Sequence, residues 1–204
     1  MAGSGVENEV KFMVSDLGVI ETRLASLGAR LEQARTYEQN LRFDTPGHDL
    51  DQHRQVLRLR QDTTARLTYK GPGQADTEVS TRQEIEFEVS DFDSARKFLE
   101  ALGYEILLVY EKYRAAYLLD EVEVVLDEMP FGNFIEIEGP DAAAIQAAAE
   151  KLGVDWEARI LDNYMALFAR VKEALGLDVR DLTFENFSGK GFSPQEINLS
   201  LADD

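Results

Sequence analysis

The stretch Val6–Phe12, VENEVKF, decides the fold. Side chains of a strand alternate between its two faces. Glu7, Glu9 and Lys11 therefore share one face, and Val6, Val10 and Phe12 lie on the other. The same division recurs along the chain. Arg58 and Arg60 oppose Leu57 and Leu59, while Arg66, Thr68 and Lys70 oppose Leu67 and Tyr69. Arg82, Glu84, Glu86 and Glu88 oppose Ile85, Phe87 and Val89. Lys112 and Arg114 oppose Tyr113 and Ala115, and Glu136 and Glu138 oppose Ile135 and Ile137. Asp127 shares a face with Glu123 and Val125. Alternation alone fits an antiparallel sheet with one wet face. Here, however, like charges come in pairs at alternate positions, acidic at Glu7/Glu9 and Glu136/Glu138, basic at Arg58/Arg60 and Lys112/Arg114. Such pairs repel and require a partner of opposite sign. If the apolar faces pack on helices, the charged faces meet one another and close a barrel with a polar interior.

The strands expected are Val6–Val14, Leu31–Asp44, Gln55–Gln61, Ala65–Lys70, Arg82–Val89, Glu105–Asp120, Val122–Glu128 and Asn133–Glu138. Turn chemistry separates them at Thr45-Pro46-Gly47, Gly71-Pro72-Gly73 and Met129-Pro130-Phe131-Gly132. Helical periodicity marks Asp16–Leu27, Asp91–Leu102, Asp141–Leu152 and Ile160–Leu175. In the first three an aspartate stands where a cap is needed and Gly28, Gly103 or Gly153 follows the last turn. Each follows a strand-like run, so the three read as a repeated strand–helix unit. The fold class is α+β, an eight-stranded antiparallel barrel with amphipathic helices outside.

The 204 residues include no cysteine, which excludes a disulfide scaffold, a zinc–thiolate site and a thiol nucleophile, and fits a reducing cytoplasm. No apolar run is long enough to span a membrane, and Met1–Gly5 has no basic segment leading into an apolar one. With 21 basic and 39 acidic residues the net charge is −18, which speaks against nonspecific nucleic-acid binding. The cations are nonetheless concentrated on a few strand faces. Clustered Arg and Lys hold a polyanion through charge-assisted hydrogen bonds. Carboxylates facing them would repel that anion unless a divalent cation lay between, and oxygen-only ligation suits magnesium or manganese. Together the two sets imply a metal-bound polyphosphate.

The Glu7-x-Glu9-x-Lys11 strand resembles the E-x-E-x-K signature of the CYTH superfamily, the triphosphate tunnel metalloenzymes. These include class IV adenylyl cyclases, thiamine triphosphatases and inorganic tripolyphosphatases. RFDTP (Arg42–Pro46), LRLR (Leu57–Arg60), LTYKGP (Leu67–Pro72), RQEIEFEV (Arg82–Val89), EKYR (Glu111–Arg114) and VVLDEMPFGNFIEIEG (Val124–Gly139) follow in the family's order. The resemblance implies a tunnel domain over residues 1–176; residues 177–204 do not map onto the family core and are expected to form an extension, either a lid over one tunnel mouth or an oligomer contact such as that of a homodimer. It implies metal binding by Glu7, Glu9, Glu136 and Glu138, with Asp127 as a further ligand or a supporting group. It implies a triphosphate held by Arg58, Arg60, Lys70, Lys112 and Arg114, with Arg82 a lesser member. Lys11 resembles the lysine proposed to activate water. That role needs a depressed pKa, which neighbouring glutamates oppose and facing arginines favour. The activity implied is metal-dependent triphosphate hydrolysis, with adenylyl cyclase chemistry as the alternative and a noncatalytic polyphosphate-binding module as a third reading.

Overall fold

A computed structural model describes residues 3–72, 74–75 and 78–203, the side chains of 3–7 and 74–75 excepted. The strands are β1 (Gly3–Val14), β2 (Arg30–Asp44), β3 (Val56–Gln61), β4 (Ala65–Lys70), β5 (Gln74–Ala75), β6 (Ser80–Val89), β7 (Glu105–Leu119), β8 (Val122–Met129) and β9 (Gly132–Gly139). Their order is β1-β9-β8-β7-β2-β3-β4-β6, and β1 also pairs with β6, so eight strands close into a ring. The two-residue β5 adds to the edge of β6. Every pairing is antiparallel. Closure places β9 four strands from β3 in either direction, so the two are opposite walls. At the β8–β9 hairpin Gly132 has φ of 147°, and a Cβ there would stand 2.8 Å from Met13 Cε. Glycine is therefore required at this turn.

The helices cover the ring as the apolar faces demand. α1 (Leu17–Ser26), α3 (Phe92–Ala101) and α4 (Ala142–Leu152) each follow a ring strand. The side chains of Asp16, Asp91 and Asp141 accept from the backbone N–H of Gly18, Ser94 and Ala144 at 2.8, 2.7 and 2.9 Å. Ile20 and Leu24 of α1, and Ile145, Ala149 and Leu152 of α4, pack with Val10, Phe12, Val124, Ile135 and Ile137 on the outer face of β1, β9 and β8. Leu99 of α3 packs with Leu41, Phe43 and Leu59 outside β2 and β3. α2 (Asp49–Gln52) is a single turn after β2.

One end of the ring is filled differently. There the inward rows change from charged to apolar, Lys11 giving way to Met13, Glu136 to Phe134 and Lys112 to Tyr110. Leu167, Phe168 and Val171 of α5 (Tyr164–Leu175) pack on these residues, together with Leu182, Phe187 and Ile197 from the closing segment. The expected helix from Ile160 begins instead at Tyr164. The reason is that Asn163 caps it by accepting from Met165 and Ala166 N–H, both at 3.0 Å, while Ile160 bonds to the backbone of Lys11. Residues 177–203 run across the same end. Leu182 exchanges backbone bonds with Val109 and Glu111, and Ala202 donates to the Met13 carbonyl. Among the described residues no helix is long and apolar enough to cross a membrane.

Candidate functional site

The ring encloses a cavity of about 1120 Å³. Glu9, Lys11, Glu136 and Glu138 line one side of it, Arg58 and Arg60 of β3 the opposite side, and Arg66 and Lys70 of β4 the wall between β3 and β6. Arg82, Lys112 and Arg114 also line it. The charged faces thus turn inward and meet.

On the acidic side the register sets Glu9 beside Glu138 and Lys11 beside Glu136. Lys11 Nζ lies 2.6 Å from Glu9 Oε1 and 3.3 Å from Glu136 Oε1. Burial pulls the Lys11 ammonium toward its neutral form, but Glu9 and Glu136 outweigh it, and its pKa stands above that of an ordinary lysine. The glutamates win the competition that the sequence leaves open. Glu136 Oε2 also accepts from Arg114 at 2.5 Å. Burial pushes the Glu136 carboxyl up, yet Lys11 and then Arg114 hold it well below the usual range.

Asp127 is fully buried behind this lining. It accepts from Arg114 Nε at 2.7 Å, Lys112 Nζ at 3.0 Å and the Tyr164 hydroxyl at 2.9 Å. With its oxygens so engaged, Asp127 fixes the two cations that reach the cavity. Tyr164 brings α5 into the network, and its ring centroid lies 5.6 Å from Lys11 Nζ and 5.7 Å from Lys112 Nζ.

On the basic side Glu86 ties the arginines together. Arg60 reaches its Oε1 at 3.1 Å and Arg58 its Oε2 at 3.4 Å, while the Thr68 hydroxyl donates to Oε2 at 2.7 Å. Burial raises the Glu86 pKa, but Arg60 and Arg58 bring it below the ordinary value. Arg58 also donates to the Tyr110 hydroxyl at 3.2 Å. Lys70 pairs with Glu84 at 2.9 Å. Among the described residues the buried Nε atoms of Arg42, Arg58, Arg60 and Arg82 have no hydrogen-bond acceptor. Arg96 on α3, outside the cavity, shares this feature, but these four line the cavity, where an anion from outside the chain can meet them.

Glu7 is placed only by its backbone, opposite Arg82 in the β1–β6 register; its side chain lies outside the described residues. His48 and His53 are exposed, away from the cavity. Sequence reading did not single out Glu38, Asn40, Arg42 or Glu123 as site residues. Glu38, Asn40 and Arg42 occupy alternate positions on β2, the signal used on the other strands, but a neutral residue in the middle and mixed sign mask it. Glu123 shares a row with Glu138 and Glu9 across three adjacent strands. Burial, with some repulsion from Glu136, raises its pKa.

Glu9, Glu136 and Glu138 supply oxygen donors on adjacent strands, the chemistry that a hard divalent cation takes. Among the described residues no three carboxylates already converge on one point. Lys11 stands between Glu9 and Glu136, and its ammonium holds the space that a cation would share. The donor set fits a divalent ion once that ammonium is displaced.

The profile of the family described as CYTH domain matches residues 6–163. A Methanocaldococcus jannaschii protein named provisionally as an adenylate cyclase is 27% identical over 135 residues, covering 65% of this chain and 76% of its own length. The adenylate cyclase CyaB of Aeromonas hydrophila is 29% identical over 160 residues, covering 76% of this chain and 77% of its own. A solved structure from Vibrio parahaemolyticus superposes with a TM-score of 0.72 at 23% identity, covering 82% of this chain and 99% of that one. That last likeness is one of fold.

Proposed function

The chain belongs to the CYTH family, and from that premise we propose that it hydrolyses a triphosphate compound inside the tunnel with the help of a divalent metal. The observation that carries this reading is the opposition of Glu9, Glu136 and Glu138 on β1 and β9 to Arg58 and Arg60 on β3 across one cavity. Arginine guanidinium groups with unused Nε donors suit phosphate oxygens in bidentate geometry. The carboxylates opposite suit Mg2+ or Mn2+, held by Glu9, Glu136 and Glu138, with Glu7 joining them from β1. When bound, the metal neutralises phosphate charge and polarises the phosphorus–oxygen bond.

The protein's own residues do the remaining work. Arg58, Arg60, Lys70 and Arg82 line the cavity against the phosphate chain, while Asp127 fixes Lys112 and Arg114 against it. Water attacks the terminal phosphorus, the bridging phosphorus–oxygen bond breaks, and orthophosphate leaves with the shortened chain. Charge developing on the leaving oxygen meets fixed cations that need no reorganisation. Lys11 can accept a proton from water only after it releases its own, which requires Glu9 and Glu136 to turn to another cation.

The second reading is adenylyl cyclase chemistry, in which the ribose 3′-hydroxyl attacks the α-phosphorus and pyrophosphate leaves. The names of the two relatives favour it. Hydrolysis ranks first because it needs no base pocket, only the facing carboxylates and cations that the cavity presents. Inorganic tripolyphosphate, thiamine triphosphate and ATP should be assayed with Mg2+ and Mn2+ for orthophosphate and cyclic AMP together. Orthophosphate release supports hydrolysis; cyclic AMP from ATP without orthophosphate reverses the ranking.

A further inference from the structure

Glu38 is a fully buried carboxylate on β2, the strand between β3 and β7. Its Oε1 lies 3.7 Å from Arg60 NH1 and its Oε2 3.8 Å from Lys112 Nζ. Neither oxygen has a hydrogen-bond partner among the described residues. A buried charge without hydrogen bonds is costly. Glu38 therefore does not orient Arg60 or Lys112 as a clamp would. Those cations are oriented by others, Arg60 by Glu86 at 3.1 Å and Lys112 by Asp127 at 3.0 Å. What Glu38 adds is a negative charge beneath a group of cations that also includes Arg58 and Arg114; these outweigh burial and keep it ionised.

We propose that Glu38 is a buried counter-charge that weakens the positive field of the tunnel, so that a full triphosphate is still retained while the shorter phosphate product is released. This inference rests on the triphosphate reading above. Each added phosphate contributes about one negative charge, so a chain's attraction to the cations grows with its length. A buried opposing charge lowers the hold on every phosphate, and only the longest chain keeps enough contacts to stay. Asn40 extends the same inward row on β2, beside Arg60 in register, fully buried and with both amide atoms unpartnered. It is a neutral position in the same layer where a second negative charge can be introduced with little change of shape.

The test is a calorimetric titration with inorganic tripolyphosphate and pyrophosphate, in EDTA so that no turnover occurs, alongside thermal melting. Glu38→Gln should bind pyrophosphate about tenfold more tightly than the wild type, the effect of removing one like charge at several ångströms in a medium of effective dielectric constant about 20. Asn40→Asp should weaken pyrophosphate by about tenfold. Glu38→Asp, which keeps the charge, should bind like the wild type. If Glu38→Gln does not fold, the sign of the Asn40→Asp effect decides. Unchanged or weaker pyrophosphate binding in folded Glu38→Gln, with a wild type that binds tripolyphosphate, overturns the inference and leaves the functional reading standing. A wild type that binds neither phosphate in EDTA overturns the inference, and one that also releases no orthophosphate from tripolyphosphate with Mg2+ or Mn2+ overturns the functional reading as well.

Discussion

Lys11 and Glu136 are direct neighbours across the β1–β9 ladder, and their side chains meet inside the ring with Nζ 3.3 Å from Oε1. Both groups lie out of bulk water, and each holds the other in its charged form. Breaking one side of a buried pair leaves the other charge uncompensated, which costs far more than an exposed pair is worth. Glu136 also accepts from Arg114, so its charge is shared between β1 and β7.

Glu136→Gln should therefore lower turnover by about a hundredfold or more and weaken the dependence on divalent metal. The check is steady-state hydrolysis of tripolyphosphate across a Mg2+ series. Unchanged turnover removes Glu136 from the site.

Arg58→Ala should raise KM for tripolyphosphate by about tenfold to a hundredfold, the worth of one charge-assisted contact. Arg58→Lys should recover part of the loss, because it restores the charge without the planar fork. An effect on thermal stability alone, with KM unchanged, reassigns Arg58 to structure.

Stability should fall on the acid side. Glu38, Glu86 and Glu136 have folded pKa values below their ordinary ones, since nearby cations outweigh burial. A carboxylate depressed in the folded state stabilises fully above its unfolded pKa of about 4.3, and that contribution is lost as pH falls through the folded value. Acidification also relieves the self-repulsion of a chain with net charge −18. The buried pairs act at short range and should outweigh that surface effect. Thermal midpoints should hold between about pH 7 and 5 and drop steadily below about 4. A midpoint that rises towards pH 3 contradicts this.

Leu167 of α5 is fully buried where the helix packs on the apolar end of the ring. Leu167→Ala should cost about 2–5 kcal/mol, the usual range for a cavity in a packed core. Denaturant unfolding measures it. A loss under about 1 kcal/mol would mean that α5 rests only loosely on the ring.

Much of this architecture is legible in the residues. The eight ring strands follow from alternation, because each has one face for helices and one for the cavity, and that requirement writes a two-residue period into the chain. The bounds of Ala65–Lys70 agree fully with expectation, and the capping aspartates and stop glycines mark α1, α3 and α4. The start of α5 is less legible. Ile160 continues the apolar period of the helix, yet its backbone completes a bridge to Lys11, a contact over long sequence separation that periodicity does not encode. The charge state of Lys11 is likewise hidden, since it depends on distances to two carboxylates rather than on their presence. Glu38 is hidden for a similar reason: on paper it is one glutamate in a mixed strand, and only closure of β3, β2 and β7 sets it beneath four cations.

The most direct measurement is a crystal structure of the protein with Mn2+ and a tripolyphosphate whose bridging oxygens are replaced by methylene groups so that it cannot turn over, with Mn2+ located by its anomalous scattering. The expected result is an anomalous peak among Glu9, Glu136 and Glu138, with the phosphate chain between that peak and the Arg58 and Arg60 side chains. Manganese and tripolyphosphate bound elsewhere, with the ring interior holding neither, would contradict the proposed site.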